Sequence, residues 1–198
     1  MTSAAQKILN RIRRHGRGWA FTPRDFVDLA SRSNVDTILQ RLASQGHIRH
    51  FSRGLYDYPR KHPTLGDFPP HQAHTAAAVA RATGDRIYPT PAQAANRLGL
   101  TTQVPAGTAY ITTGKPRTVH AGNLKIDLQK TSLPKTLTHY MAFMALQALD
   151  NMGSSNVDQK MIDKVAKKLT PADKKDIHAN LRYIRNPKLA DIARQLTA

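Results

Sequence analysis

The hydrophobic period of this chain changes in mid-segment, and that change limits its fold more than any other feature. Through residues 33–45 the apolar side chains Val35, Ile38, Leu39 and Leu42 recur at the i, i+3, i+4, i+7 spacing of one helical face. After Gly46 the period is two: Ile48-Arg49-His50-Phe51, then Ser52-Arg53-Gly54 turning into Leu55-Tyr56-Asp57-Tyr58. Ser33 is expected to cap the helix with its hydroxyl, Asp36 to sit in the first turn, and Gly46 to end it. The sequence thus predicts a helix feeding a short basic hairpin. Its outward face would carry Asn34, Thr37, Gln40, Arg41 and Ser44. The hairpin tip would carry Arg49, His50, Ser52 and Arg53, with no acid before Asp57.

Such a helix fits the width of a DNA major groove, where Asn, Gln, Thr and Arg have donors and acceptors matched to base edges. The hairpin could lie along phosphates or enter the minor groove. A short helix with a polar outer face before a hairpin also occurs in proteins that never meet DNA. From this stretch alone, both readings stay open.

The residues around it supply an order of elements. Residues 3–14 put Ala5, Ile8, Leu9 and Ile12 on one face and Lys7, Arg11, Arg13 and Arg14 elsewhere, which predicts an amphipathic first helix. Trp19-Ala20-Phe21 reads as extended. Thr22-Pro23-Arg24-Asp25 is a helix start, and Phe26, Val27, Leu29 and Ala30 would be the buried side of a two-turn helix. Helix, extended piece, helix, turn, helix, hairpin within residues 1–60 is the order of a winged helix-turn-helix.

Residues 59–70, PRKHPTLGDFPP, lack a period and are dense in proline and glycine, so 61–70 is expected to be a linker. Residues 71–198 then form a second domain of mixed α/β character. It begins with an Ala-rich helix over 71–83 and an extended piece over 86–89. Thr90-Pro91-Ala92-Gln93 is a capping box opening a helix that Gly99 closes. Strands follow over 108–112, 117–121 and 124–129, with turn signals at Gly114-Lys115-Pro116 and Gly122-Asn123. Leu137, Tyr140, Met141, Met144 and Ala148 share a helical face, as do Val157, Met161, Val165 and Leu169. Thr170-Pro171-Ala172-Asp173 and Asn186-Pro187 start the last helices. The expected fold class is α+β, a winged helix-turn-helix followed by a domain with a small antiparallel sheet and C-terminal helices.

Charge narrows the class of partner. The 198 residues hold 30 Lys and Arg against 13 acids, all aspartate, for a net charge of +17. Residues 1–70 carry 12 Lys and Arg against 5 Asp, and the remainder 18 against 8. This excess favours a polyanionic partner and says nothing about sequence preference. The absence of cysteine removes disulfides, thiolate nucleophiles and cysteine metal sites. No apolar run approaches the roughly 18 residues that a membrane helix needs, and no apolar leader block opens the chain. A cytoplasmic protein without a membrane partner is expected.

No catalytic constellation stands out. Gly16-x-Gly18 and Thr113-Gly114-Lys115-Pro116 lack the glycine spacing of a phosphate-binding loop. His71 and His74 could share a metal, but no third ligand has convincing spacing, and an exposed polar pair accounts for them better. Asp25, Asp28, Asp173 and Asp176 fall at helix starts, where caps and dipole partners are expected. The reading is a protein that is not an enzyme, with no cofactor and no metal.

Three stretches carry a family likeness: Arg53-Gly54-Leu55-Tyr56-Asp57-Tyr58-Pro59, residues 94–105 (AANRLGLTTQVP), and Lys130-Thr131-Ser132 after the strands. Together they resemble the AbiE-type antitoxins of bacterial type IV toxin–antitoxin systems and their short DUF6088 relatives. The second stretch is the most particular of the three. The resemblance implies an N-terminal winged helix that binds inverted repeats in its own promoter, with a dimer on the double-stranded DNA. It implies a C-terminal domain that counters a cognate nucleotidyltransferase toxin. On this reading Ser33, Asn34, Thr37, Gln40 and Arg41 would read bases, and Arg32, Arg49 and Arg53 would hold backbone, with His50 and Ser52 beside them at the hairpin tip. The competing expectation is an RNA-binding or ribosome-associated basic protein without a toxin. A hydrolase or transferase, which would need a perturbed carboxylate or histidine in a pocket, is the third.

Overall fold

In a computed structural model the chain is a mixed α+β protein with small antiparallel sheets and, among the described residues, eight α-helices. The structure describes residues 3–64, 66–68, 70–121, 124–153 and 156–197. Two compact units divide it: Met1–Ile87 with Gly114–Gln129, and Tyr88–Thr113 with Lys130–Ala198. These bounds differ from a division at 61–70. Residues 72–83 and 117–129 belong with the N-terminal elements.

The first unit begins with α1 (Ala4–His15), whose Ser3 hydroxyl accepts from the Gln6 N–H. Ile8 and Ile12 are buried on its inner face, while Lys7, Arg13 and Arg14 are exposed. Strand β1 (Ala20–Phe21) leads to Thr22 and Pro23, and here the expected two-turn helix does not form. Pro23–Phe26 is a single 3-10 turn, and Val27, expected to be buried, is 51 % exposed. Arg11 gives the reason. Its guanidinium donates to the Asp25 carbonyl at 2.8 Å, the group an α-helix would offer to the Leu29 N–H, and Leu29 donates to Phe26 instead. The cap itself is as expected: the Asp25 carboxylate accepts from the Thr22 N–H at 2.8 Å.

Helix α2 (Arg32–Ser44) starts earlier than Ser33, because the extended backbone of an N-cap residue falls at Ser31 (φ −58°, ψ 151°). Ser33 lies in the first turn and caps nothing with its hydroxyl. Asp36 pairs with Arg32 one turn back, at 3.0 Å. Val35, Ile38, Leu39 and Leu42 are buried as their spacing predicts, and each contributes about 2 kcal/mol of transfer free energy. They pack with Trp19, Phe21, Phe26, Ile48 and Tyr56. Gly46 ends the helix with φ +70°: its N–H donates to Ala43 and the His47 N–H to Leu42, the paired bonds of a Schellman motif. Strands β2 (Arg49–Ser52) and β3 (Leu55–Asp57) follow as an antiparallel hairpin with an irregularity between His50 and Ser52. β1 lies on the other side of β3, opposing Phe21 to Tyr56.

Two short strands fall within the expected linker. β4 (Lys61–His62) pairs with β5 (Gly66–Asp67), although Leu65 and Pro69 lie outside the described residues. Helix α3 (Gln72–Thr83) packs on β1, and Ala78 shares a small cluster with Ala20 and Leu55. Strands β6 (Ile87–Tyr88) and β7 (Ala109–Thr112) flank α4 (Pro91–Leu98) in sequence. β8 (Arg117–Ala121) pairs antiparallel with β9 (Leu124–Lys130). The turn signal between them, Gly122-Asn123, lies outside the described residues.

The second unit is built around α5 (Tyr140–Met152), which is buried on almost every side from Ala142 to Leu149. Tyr140, expected on the buried face, is 46 % exposed, although its ring lies 5.6 Å from that of Tyr88. α4 packs along α5. Its Thr90–Gln93 capping box forms as its sequence predicts, as does its αL end at Gly99. α6 (Gln159–Ala166), α7 (Pro171–Asn180) and α8 (Pro187–Thr197) complete the unit, and Asp173 closes the cap at Thr170. No helix among the described residues is long and apolar enough to cross a membrane.

Open space surrounds the Cα of Gly46, so a substitution there meets backbone strain and no clash. Gly46→Ala should lower stability by about 1 kcal/mol, read as an earlier urea midpoint with an unchanged m-value.

Candidate nucleic-acid interface

The buried half of α2 turns its other half outward. Arg32, Ser33, Asn34, Thr37, Gln40, Arg41 and Ser44 are all exposed, on a face that follows from a 3.6-residue period with one apolar stripe. The side chains of Asn34, Gln40 and Arg41 have no hydrogen-bond or ion-pair partner among the described residues. Thr37 differs, because its hydroxyl donates to the Ser33 carbonyl at 3.0 Å and keeps only acceptor capacity free. Arg32 gives its Nε to Asp36 and leaves its terminal nitrogens available.

The hairpin divides into tip and base. At the tip, Arg53 is exposed and unpaired among the described residues, and Ser52 is half-buried beside it. His50 is exposed with its ring 4.8 Å from that of Tyr56. Arg49, at the base, is a structural residue. Its Nε and Nη2 grip the two oxygens of Asp57 at 3.0 and 2.7 Å, and Nη2 also donates to the Phe68 carbonyl at 2.8 Å. Asp57 is 1 % exposed. Burial pushes its carboxyl above the usual carboxylate range, and Arg49 offsets part of that cost. A guanidinium so occupied has little to offer a phosphate.

Arg53 and Arg32 meet two further arginines that sequence reasoning did not assign to the interface. They line an open pocket of about 340 Å³ with Arg24 and Arg117, all within the first unit, and no carboxylate lines it among the described residues. Arg24 is aimed by a bond to the Ala82 carbonyl at 2.9 Å, at the end of α3. Arg117 donates to the Thr83 hydroxyl at 3.2 Å and lies 3.5 Å from Asp85. Arg24 sits inside the Thr22–Asp25 cap and Arg117 at a strand edge, positions whose grouping no local pattern reveals. Four arginine side chains line one hollow, and guanidinium groups carry the paired donors that phosphate oxygens accept from.

The titratable groups proposed for other chemistry are held in local roles. Asp28 forms a two-bond pair with Arg11 at 2.7 and 2.6 Å, which holds its carboxyl below the usual range. Asp25 takes Arg81 at 2.8 Å besides its cap. Asp176 accepts from the N–H groups of Thr138 and His139. His71 and His74 have rings 4.7 Å apart, and the Nδ1 of His74 lies 2.7 Å from the Gly18 carbonyl oxygen. No group of three His, Cys, Asp or Glu able to hold a metal occurs among the described residues.

A family model described as "Family of unknown function (DUF6088)" matches residues 7–177, from α1 to α7. The chain belongs to the DUF6088 family. Comparison with curated proteins and with solved structures finds no match. The part of the DUF6088 chain that matches includes α2, the β2–β3 hairpin and all four arginines of the pocket.

Removing Arg49 leaves a carboxyl group buried without its partner. Arg49→Ala should cost about 2 to 3 kcal/mol in urea denaturation, less than for a fully buried pair because Arg49 keeps 28 % exposure. Adding Asp57→Asn to that variant should restore part of the loss.

Proposed function

We propose that this DUF6088 protein is a sequence-specific DNA-binding autorepressor and an antitoxin of the AbiE type, with a winged helix-turn-helix in its first unit. The single observation that carries the reading is the α2 face, where uncharged Asn34 and Gln40 stand with Arg41 in solvent beside a pocket of four arginines. Amide side chains on an exposed helix suit base edges, and arginines that are unpaired, as Arg53 is, or only partly engaged, as Arg24 and Arg32 are, suit phosphates. The proposed division of labour has Ser33, Asn34, Thr37, Gln40 and Arg41 in the major groove. Arg32, Arg53, Arg24 and Arg117 hold the backbone. Ser52 and His50 lie at the edge of the contact, and Arg49 supports the hairpin from within.

The antitoxin part of the reading is supported by the resemblance carried at residues 53–59, 94–105 and 130–132. The partner would be a cognate nucleotidyltransferase toxin, and the operator a pair of inverted repeats bound by a dimer. No catalytic role is proposed for any residue of this chain.

Gel shifts on the DNA upstream of the coding sequence test the repressor reading. Gln40→Ala should lose about 1 to 3 kcal/mol, concentrated at particular base pairs. Arg53→Ala should weaken all duplexes alike and reduce the slope of log K against log salt by about 1. An upstream region bound no better than random duplex removes the repressor reading. Structured RNA that displaces the protein from that region as well as duplex does would favour an RNA-binding protein instead. Growth of cells expressing the neighbouring toxin, with and without this protein, tests the antitoxin part.

A further inference from the structure

Lys130-Thr131-Ser132, one of the three stretches behind the family likeness, has no role in the interface above, and it lies in the second unit. The chain over 130–137 is anchored by apolar side chains at Leu133 and Leu137, both buried, while Lys130, Ser132 and Lys135 are exposed. Its shape is fixed internally: the Thr131 hydroxyl accepts from the Leu133 N–H at 3.0 Å, and the Pro134 carbonyl accepts from the Leu137 N–H at 3.2 Å.

Facing it is the 3-10 turn Leu181–Tyr183, held by buried Ile184. The Thr136 hydroxyl donates to the Asn180 side chain just before that turn, so the two walls are tied together. Between them lies an open hollow of about 890 Å³, with Lys130, Lys135, Arg182 and Arg185 on its walls. No carboxylate lines it among the described residues, and Lys130 and Arg185 have neither a hydrogen bond nor an ion pair there. Like charges gathered on rigid walls repel, and an anion in the hollow relieves them.

The hollow has a second property that phosphate alone does not need. Tyr183 is 48 % exposed, and the Arg182 guanidinium carbon stands 4.7 Å from its ring centre. A large aromatic left half in water beside a stacked guanidinium is a flat shelf on which an unpaired base can lie. A duplex hides its base faces, whereas a single strand leaves them free to stack on such a shelf. The Ser132 hydroxyl adds a donor at the rim.

We propose that this hollow binds a nucleotide of a single-stranded nucleic acid. Its phosphates lie against Lys130 and Arg185, and its base stacks on the Tyr183–Arg182 shelf. The site uses residues of the second unit alone and does not depend on the promoter reading.

The test uses the full chain and a labelled single-stranded oligouridylate of twelve nucleotides, titrated by fluorescence anisotropy. Tyr183→Ala should weaken binding about tenfold, and Tyr183→Phe should bind like the unsubstituted protein. The double variant Lys130→Gln, Arg185→Gln should lower the slope of log K against log salt by about 1.4, the value for two phosphates on a single strand. Binding of duplex DNA should be unchanged in all three, which separates failure of this site from failure of the promoter reading. All three positions are exposed, and an unchanged thermal midpoint verifies folding. Tyr183→Ala binding as tightly as the unsubstituted protein overturns the proposal, whether or not the charge variant loses affinity. An unchanged salt slope in the double variant overturns it as well.

Discussion

One side of α2 is fully engaged, and much of the first unit follows from that. Val35, Ile38, Leu39 and Leu42 are closed against a group of aromatic rings in which Phe21, Phe26, Trp19 and Tyr56 stack or meet edge to face. Rotating the helix by a third of a turn would exchange these four for Asn34, Gln40 and Arg41, burying amides and a charge without partners. The orientation of the polar face is therefore fixed by the cost of every alternative. The Schellman end at Gly46 then reverses the chain within two residues, which puts β2 and β3 beside the same core.

Arginine serves two purposes in this unit, and how fully each guanidinium is engaged separates them. Arg49, Arg11 and Arg81 are bound to Asp57, Asp28 and Asp25, and they hold strands, turns and helices in place. Arg53 has no such partner, and Arg24 and Arg32 are only partly occupied. With so few acids in the chain, most cations have no carboxylate to pair with, and some of them gather around open hollows. The arginine pocket of the first unit and the lysine–arginine hollow of the second are two such places. They differ in one respect: only the second has an exposed aromatic ring at its edge.

Patterns confined to a few residues were readable in the sequence. The capping boxes at Thr90 and Thr170, the glycine ends at Gly46 and Gly99, the apolar stripe of α2 and the hairpin after it depend on contacts no more than a turn or two away. A base-reading face could be named for the same reason, since the residues opposite a buried stripe must point outward. Where distant groups intervened, the local pattern misled. The turn after Pro23 carries every signal of an α-helix, yet Arg11, on the preceding helix, takes the carbonyl that helix would have used.

The sequence by itself determined which residues would be buried in α2, where the chain would turn, and that the surface would be strongly cationic. Only the tertiary structure decided which cations are spent inside the protein. Arg49 and Arg53 lie in one hairpin with similar neighbours in sequence. The first is drawn to a carboxylate buried on the adjoining strand and to the Phe68 carbonyl, and the second is left in solvent near Arg24, Arg32 and Arg117. Charge acts through space, over distances of a few ångströms between residues far apart along the chain. A linear pattern contains none of those distances.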